Sequence, residues 1–484
     1  MKKYYQIISL IVNIYLFSAC SSQIVPDRDI FIKDGETAPT IKLHKYKSVQ
    51  ERPNQNPNLA VALAISGGGS RASNFGIGVM LGLEQIIQEN GNNVLQEIDY
   101  LSTVSGGGFA GGAYINSLFE HYYTKNDKKY ELNQYVNQRI KEDLEHSFMG
   151  SVLKNYLNPK IWFTFADDGD ILERTIDNTV LGYKRHKTNA NLREMPQRSI
   201  TLGDLFVAKT DTSHKVLFPM MFANGAIMGK MAIFPFSPDI LHTYQINGVT
   251  HRLKKIHPID PYDVPLSVGI KASGSFPVLI SNTTLISRYN PKFKYLHIVD
   301  GGLADNYGYQ TALDILKQDK VAQKKVMLII DANNDGMTKT FSKVQSGTNM
   351  FKVFATLPYS GLSAKTATLK PEVFAESSVV EVEPIFLSFN VLLDNNEVLP
   401  PEKIDVKKEQ KRLIYQLTTN MNNISKKDLQ ILYELLTNVG TKYTITQDEQ
   451  DLLLLAGQKI VLMQKDNILG VLKGKESEDK EEEE

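Results

Sequence analysis

Residues 59–71 read LAVALAISGGGSR. An unbroken apolar run, Leu59–Ile65, stops at a serine and three glycines. Such a run suits a strand buried on both faces, as in a parallel sheet. Residues 72–90 then follow a helical pattern that Gly91 closes, and a second cycle begins at once. It consists of a strand-like run at 98–104, the turn Ser105-Gly106-Gly107-Gly108, and a helix expected through about Tyr123. Strand, glycine turn and helix, twice in succession, are the pattern of an α/β fold. Residues 216–223, 295–299 and 326–330 are further strand candidates. The polar stretch 126–200 reads as a helical insertion or cap, and 402–470 as helical again.

Composition narrows the function classes. The chain has 484 residues, 42% hydrophobic and 22% charged, which is ordinary for a globular protein and excludes disorder or coiled coil as the main architecture. Lys plus Arg and Asp plus Glu both number 54, so no net charge draws the chain to nucleic acid. At the start, Lys2 and Lys3 precede an apolar stretch at 7–17 and then Ser18, Ala19 and Cys20. A basic region, a short apolar run and small residues form a secretory signal, and the run falls short of the ~20 apolar residues of a spanning helix. Cys20 is the sole cysteine, which excludes an internal disulfide. The expected organisation is a signal peptide at 1–19, a polar lead-in at 20–58, one domain at 59–470 and an acidic tail at 471–484.

Three motifs carry chemistry. Thr103-Val104-Ser105-Gly106-Gly107 lies between a predicted strand and a predicted helix, where a serine is held in a strained turn with its hydroxyl above the sheet. The usual pattern has glycine two residues before the serine; here Thr103 stands there. Alone, this turn reads equally as a phosphate cradle or as tight packing. Ser66-Gly67-Gly68-Gly69-Ser70-Arg71 can aim successive N–H groups into one concavity, as an oxyanion hole or another anion nest, with Arg71 holding the loop in shape. No Gly-Lys-Ser/Thr closes it, so the P-loop reading fails. Finally, His297-Ile298-Val299-Asp300-Gly301-Gly302 sets an acid at the carboxyl end of a strand, open to a crevice at the top of the sheet. The last of nine histidines is His297, so the order Ser, Asp, His cannot use Asp300 as its acid. The remaining option is Asp300 as the base for Ser105, with partial burial raising its pKa. His297 reads as a packed histidine on the opposite face of the strand.

A Gly-Gly-Gly-x-Arg loop, an elbow serine and Asp-Gly-Gly in this order resemble the patatin-like phospholipase family. The resemblance implies a three-layer α/β fold with a mostly parallel central sheet, helices on both faces and a helical insertion. It also implies a Ser105–Asp300 dyad, an oxyanion hole from Gly67, Gly68 and Gly69 braced by Arg71, and no metal or other cofactor. The stretch 271–277 resembles the helix-and-proline segment before the acid, and 387–393 and 437–460 resemble the C-terminal part of lipid-anchored bacterial members. Cys20 after Ser18-Ala19 resembles a lipobox with Phe17 in place of the preferred Leu, and Ser21-Ser22 resemble outer-membrane sorting.

The expectation is therefore an exported, membrane-anchored lipid acyl hydrolase acting on phospholipid. A short-chain carboxylesterase or thioesterase on the same dyad, a non-catalytic lipid-binding lipoprotein, and a hydrolase using His297 are the alternatives. Residues 331–342 begin like a calcium loop but put Ser342 where a bidentate Glu belongs, and 167–170 lack alternating ligand spacing. The aromatic stretch 161–165, with the sole tryptophan, reads as cap packing or as a membrane-interface contact.

Overall fold

The computed structural model describes residues 53–473 except 55, 125–128, 147, 149, 152–167, 189–198, 207–217, 250–259, 278, 288–294, 333–372, 374, 379–380 and 394–404. The signal and lipidation segment, the aromatic stretch 161–165, most of the calcium-like loop and the acidic tail lie outside the described residues.

Among the described residues nine strands form one sheet: β1 Leu59–Ile65, β2 Tyr100–Val104, β3 Met220–Ile227, β4 Ala232–Phe236, β5 Ile246–Val249, β6 Thr283–Ser287, β7 Tyr295–Asp300, β8 Lys324–Asp331 and β9 Val382–Ser388. The order is β5-β6-β7-β3-β2-β1-β8-β9, with β4 paired to β3. The block β3-β2-β1-β8-β9 is parallel throughout, and the strands around β4 to β7 pair antiparallel. The longer helices are α1 Ser70–Gln85, α2 Gly106–Tyr123, α3 Asp168–Asn178, α4 Leu266–Ser273, α5 Tyr309–Gln318, α6 Val406–Asn420, α7 Lys426–Asn438, α8 Gln447–Met463 and α9 Lys465–Lys473.

The apolar run of β1 hides an alternation. Val61, Leu63 and Ile65 enter the large core with α1, α2 and α8, while Ala60, Ala62 and Ala64 enter a smaller core with Tyr309, Ala312, Leu313 and Leu316 of α5. Both faces of the sheet are therefore covered, which is why no polar residue interrupts the run. The result is the three-layer α/β arrangement expected from the sequence.

The C-terminal helices belong to the same core. Helix α8 crosses α1 so closely that a Cβ on Gly78 would stand 2.4 Å from the Leu454 carbonyl oxygen, and one on Gly457 2.5 Å from the Val79 nitrogen. Only backbone can meet backbone at that distance. Thr446 and Glu449 close a capping box at the start of α8, and Ser425 and Asp405 cap α7 and α6. The residues just before β1 are held in place: the Asn54 side chain donates to Asp99 Oδ2 at 2.6 Å and to the Leu59 and Glu97 carbonyls.

Candidate active site

Strand β3 builds the site by serving three partners. Strand β4 pairs with Ala223–Ile227, while β2 pairs with Met220–Asn224 and β7 with Gly225–Ile227. Since each edge of a strand holds one neighbour at a time, β4 takes one edge and both β2 and β7 take the other. Strand β2 climbs that edge to Val104, opposite Asn224, and β7 descends it to Asp300, opposite Gly225. Ser105 and Asp300 thus meet where two strand ends converge. Asp300 ends a strand, as expected, and that strand runs antiparallel to β3 because β6 and β7 pair as a hairpin that reverses the chain.

Ser105 is the N-cap of α2 with φ 49° and ψ −117°, a region that disfavours side chains. The turn is enforced by contact. A Cβ on Gly106 would lie 2.1 Å from the Gly69 carbonyl oxygen, and one on Gly107 2.5 Å from that of Ile65. Thr103 is accommodated by Gly111 one helical turn on, where an added Cβ would stand 2.9 Å from Thr103 Cγ2. The clearance that glycine usually gives from the strand is here supplied by the helix.

The Ser105 hydroxyl lies close enough to the Asp300 carboxyl to lower its pKa. Asp300 is 4% exposed and accepts from the Gly302 N–H at 2.8 Å. Burial raises its pKa from 3.8 to about 6, with the Gly302 and Ser105 donors pulling the other way. The Asp-Gly pair is steric: a Cβ on Gly301 would overlap the Asn224 carbonyl.

The glycine loop is fixed from three sides. The Gly67 N–H donates to the Asn306 carbonyl at 3.0 Å, and the Ser70 N–H to that of Lys442 at 2.8 Å. Gly67 is therefore an anchor, and its N–H is committed elsewhere, unlike its expected role as an oxyanion donor. The Gly68 and Gly69 N–H groups have no hydrogen bond among the described residues, and both glycines have positive φ, 144° and 62°. Arg71 is 2% exposed, and its guanidinium donates to the Ala332 and Val439 carbonyls, both at 2.7 Å. A surface arginine at a helix start would make no such bonds; this one ties the loop to the end of β8 and to the end of α7.

A cavity of about 70 Å³ lies over these groups. Ser105, Gly106 and Asp300 line its floor, Phe109, Leu144, Phe148, Phe276 and Leu279 give apolar walls, and Thr441, Lys442 and Tyr443 close one side. His297 is neither packed nor at this cavity. It sits exposed on β7, sharing a 3.0 Å hydrogen bond with Thr284 across the β6–β7 pair.

Sequence reasoning missed the bracket behind the pair. The Ser105 N–H donates to Ser273 Oγ at 2.8 Å, and that hydroxyl donates to the Asn224 carbonyl at 2.6 Å. The Asp300 N–H donates to the Ser275 carbonyl at 3.0 Å, and Tyr443 donates to the Gly274 carbonyl at 3.2 Å. Residues 273–275 thus hold both chains of the pair by their backbones. The one available signal was that these residues fall in the helix-and-proline stretch 271–277.

A second buried polar cluster supports α2 from behind. Glu120 accepts from Arg139 at 2.8 Å, Arg185 at 3.1 Å and His186 at 3.2 Å. Burial pushes Glu120 up, but the His186 hydrogen bond and the Arg139 and Arg185 charges outweigh it and hold its pKa at about 2.

The model of the patatin-like phospholipase family matches residues 63–313, a span that contains the glycine loop, the elbow and the acid. The chain belongs to that family. No curated protein matches it. Among solved structures, human GIVD cytosolic phospholipase A2 is similar at 10% identity and a TM-score of 0.41, over 87% of this chain and 60% of that one. The same protein in complex with methyl gamma-linolenyl fluorophosphonate aligns at 12% identity and a TM-score of 0.39, over 90% of this chain and 60% of that one. The chain thus spans about 60% of the length of those proteins.

Proposed function

We propose that the protein is a lipid acyl hydrolase of the phospholipase A or lysophospholipase type, working through a Ser105–Asp300 dyad. The observation that carries this reading is that Ser105 and a buried Asp300, whose pKa burial raises to about 6, line the floor of one apolar cavity with the serine close enough to act on the acid. At neutral pH Asp300 is largely ionised, and it is basic enough to take a proton in the transition state. Ser105 Oγ attacks the ester carbonyl carbon as its proton passes to Asp300. The carbonyl π electrons move onto oxygen, and the Gly68 and Gly69 N–H groups, with the N-terminus of α2, stabilise that oxyanion. Collapse breaks the carbon–oxygen ester bond, the alkoxide leaves with the proton from Asp300, and an acyl-serine remains. Water, deprotonated by Asp300, repeats the cycle and releases the fatty acid. Gly67 anchors the loop and Arg71 braces it.

A short-chain carboxylesterase or thioesterase is the second reading. The cavity size favours it: about 70 Å³ is small against roughly 300–1,000 Å³ for ordinary ligand sites. Acyl release from phospholipid vesicles and from a soluble short-chain ester, both with a calcium chelator, separates the two readings. Release from vesicles that Ser105→Ala and Asp300→Asn abolish and His297→Ala preserves supports the first reading. Release from the soluble ester alone supports the second, and release that survives Ser105→Ala removes both.

We also infer export and anchoring through a lipidated Cys20, supported by the signal-like residues 1–19. Among the described residues no helix is long and apolar enough to cross a membrane. Partition of the full chain into detergent phase, lost in Cys20→Ser, tests the anchor; unchanged partition contradicts it.

A further inference from the structure

Beside the cavity the described residues expose an apolar rim. Strand β3 continues past Gly225, the partner of Asp300, to Ile227 and then turns through Met228-Gly229-Lys230-Met231 into β4. Three residues of strand lift Met228 ~10 Å above the level of Asp300. The lift is toward the carboxyl ends of β1 and β2, the side on which Gly69 and Ser105 open to the cavity. The hairpin tip therefore stands above the floor of the site, level with His297 of β7, whose carbonyl accepts from the Met228 N–H at 2.9 Å.

Its chemistry is unusual for a turn. Met228 is 58% exposed and Met231 46% exposed. Met231 has φ 51°, a conformation that glycine or asparagine adopts at less cost. A Cβ on Gly229 would meet nothing within 4 Å, so the tip faces open space. Lys230 lies exposed between the two methionines, and residues 227–233 contain no acid. Leu279, 45% exposed, lines the cavity wall, and the polar Asn282, three residues on, touches Met228 Sδ at 3.9 Å and so links the tip to that wall. Two flexible apolar side chains flanking a cation on a projecting turn match the boundary of a lipid bilayer. The thioethers suit the acyl layer and the ammonium suits the phosphates above it.

We propose that the Met228–Met231 hairpin tip and Leu279 form a docking rim that seats the cavity mouth on a phospholipid surface. The inference rests on the lipid hydrolase reading and names how that site meets its substrate. A bilayer held at this rim presents ester groups to the Ser105 side of the sheet, so a lipid travels a short path from membrane to cavity.

The test uses the full chain with Cys20→Ser in every variant, so that a lipid anchor contributes nothing to binding. Co-sedimentation is measured with vesicles of phosphatidylcholine and of phosphatidylcholine with phosphatidylglycerol, beside hydrolysis of a soluble short-chain ester. Met228→Glu with Met231→Glu is expected to weaken binding to both vesicles roughly tenfold or more while leaving soluble-ester hydrolysis unchanged. Lys230→Glu is expected to remove only the added affinity for phosphatidylglycerol. Vesicle binding equal to the parent in the double variant overturns the proposal, as does a parent that binds neither vesicle. A rim that pairs two copies, seen as a dimer lost in the double variant with vesicle binding kept, also overturns it. Absence of acyl release in the parent from both the vesicles and the soluble ester would instead remove the hydrolase reading, while the binding arm still decides the rim.

Discussion

Replacing Asp300 by Asn should make the protein more stable at neutral pH while abolishing its activity. Folding raises the pKa of this carboxyl from 3.8 to about 6, chiefly through burial. At ~1.36 kcal/mol per pKa unit, the ionised wild type carries a penalty of about 3 kcal/mol. The sign follows from the direction of the shift. With a folded pKa above the unfolded one, the favourable contribution is fully present below pH 3.8 and is lost as pH rises through about 6. The Asn side chain is neutral throughout, keeps an oxygen for the Gly302 N–H and offers its NH₂ to the Ser105 hydroxyl. The variant should therefore exceed wild type by up to about 3 kcal/mol at pH 7.5 and by less than about 1 kcal/mol at pH 4. Denaturant unfolding of both proteins at the two pH values measures this, provided the slope against denaturant is unchanged. A variant no more stable at pH 7.5, or an advantage equally large at pH 4, would refute the claim that Asp300 is a strained, buried base.

The same group sets the rate profile: kcat/KM should rise with a single ionisation to a plateau, with its midpoint near the Asp300 pKa of about 6, and a profile flat from pH 5 to 8 would contradict it. Ser273→Ala leaves the half-buried Ser105 N–H without its 2.8 Å acceptor at a backbone of φ 49°, so kcat should fall roughly 10–100-fold with KM little changed and the profile midpoint kept. An unaltered kcat would make Ser273 a bystander. Glu120→Gln removes the charge shared by Arg139, Arg185 and His186, which should cost about 3–5 kcal/mol of stability, read by denaturant unfolding at pH 7. Because the Glu120 pKa is depressed from 4.5 to about 2, that contribution is present above 4.5 and lost as pH falls through about 2. Gly457→Ala places a methyl against the backbone of α1 and should cost about 1–3 kcal/mol or more, with an unchanged unfolding midpoint as the contrary result.

The sequence made the parallel half of the sheet readable because those strands are buried on both faces and show as apolar runs. The two glycine turns were equally plain, since only glycine tolerates the backbone contacts at residues 106 and 107. Strands β4, β5, β6 and β9 left weaker traces. Strand β9, VEPIFLS, holds a proline and a glutamate at an edge, and β5 and β6 form an antiparallel rim whose outer pair has an irregular register. The strand expected at 216–223 proved to be Met220–Ile227, because pairing with β2, β4 and β7 carries it past the last apolar cluster to the hairpin. Of the site, Ser105, Asp300 and Arg71 could be named from motifs, because their chemistry is in the side chain. Ser273, Asn224 and Asn306 could not, since their part is to bond backbone groups brought near only by the fold. His297 was misjudged for a related reason: strand periodicity gives the face of a residue but not whether that face is covered.

The central claim is that Ser105, activated by Asp300, is the nucleophile. Treating the full chain with an alkyl fluorophosphonate and mapping the adduct by peptide mass tests it most directly. The account predicts one phosphonyl group, on Ser105, absent in Ser105→Ala. Its rate of formation should rise with pH through about 6 and drop sharply in Asp300→Asn. An adduct on another residue, or labelling of Ser105 at an undiminished rate in Asp300→Asn, would contradict it.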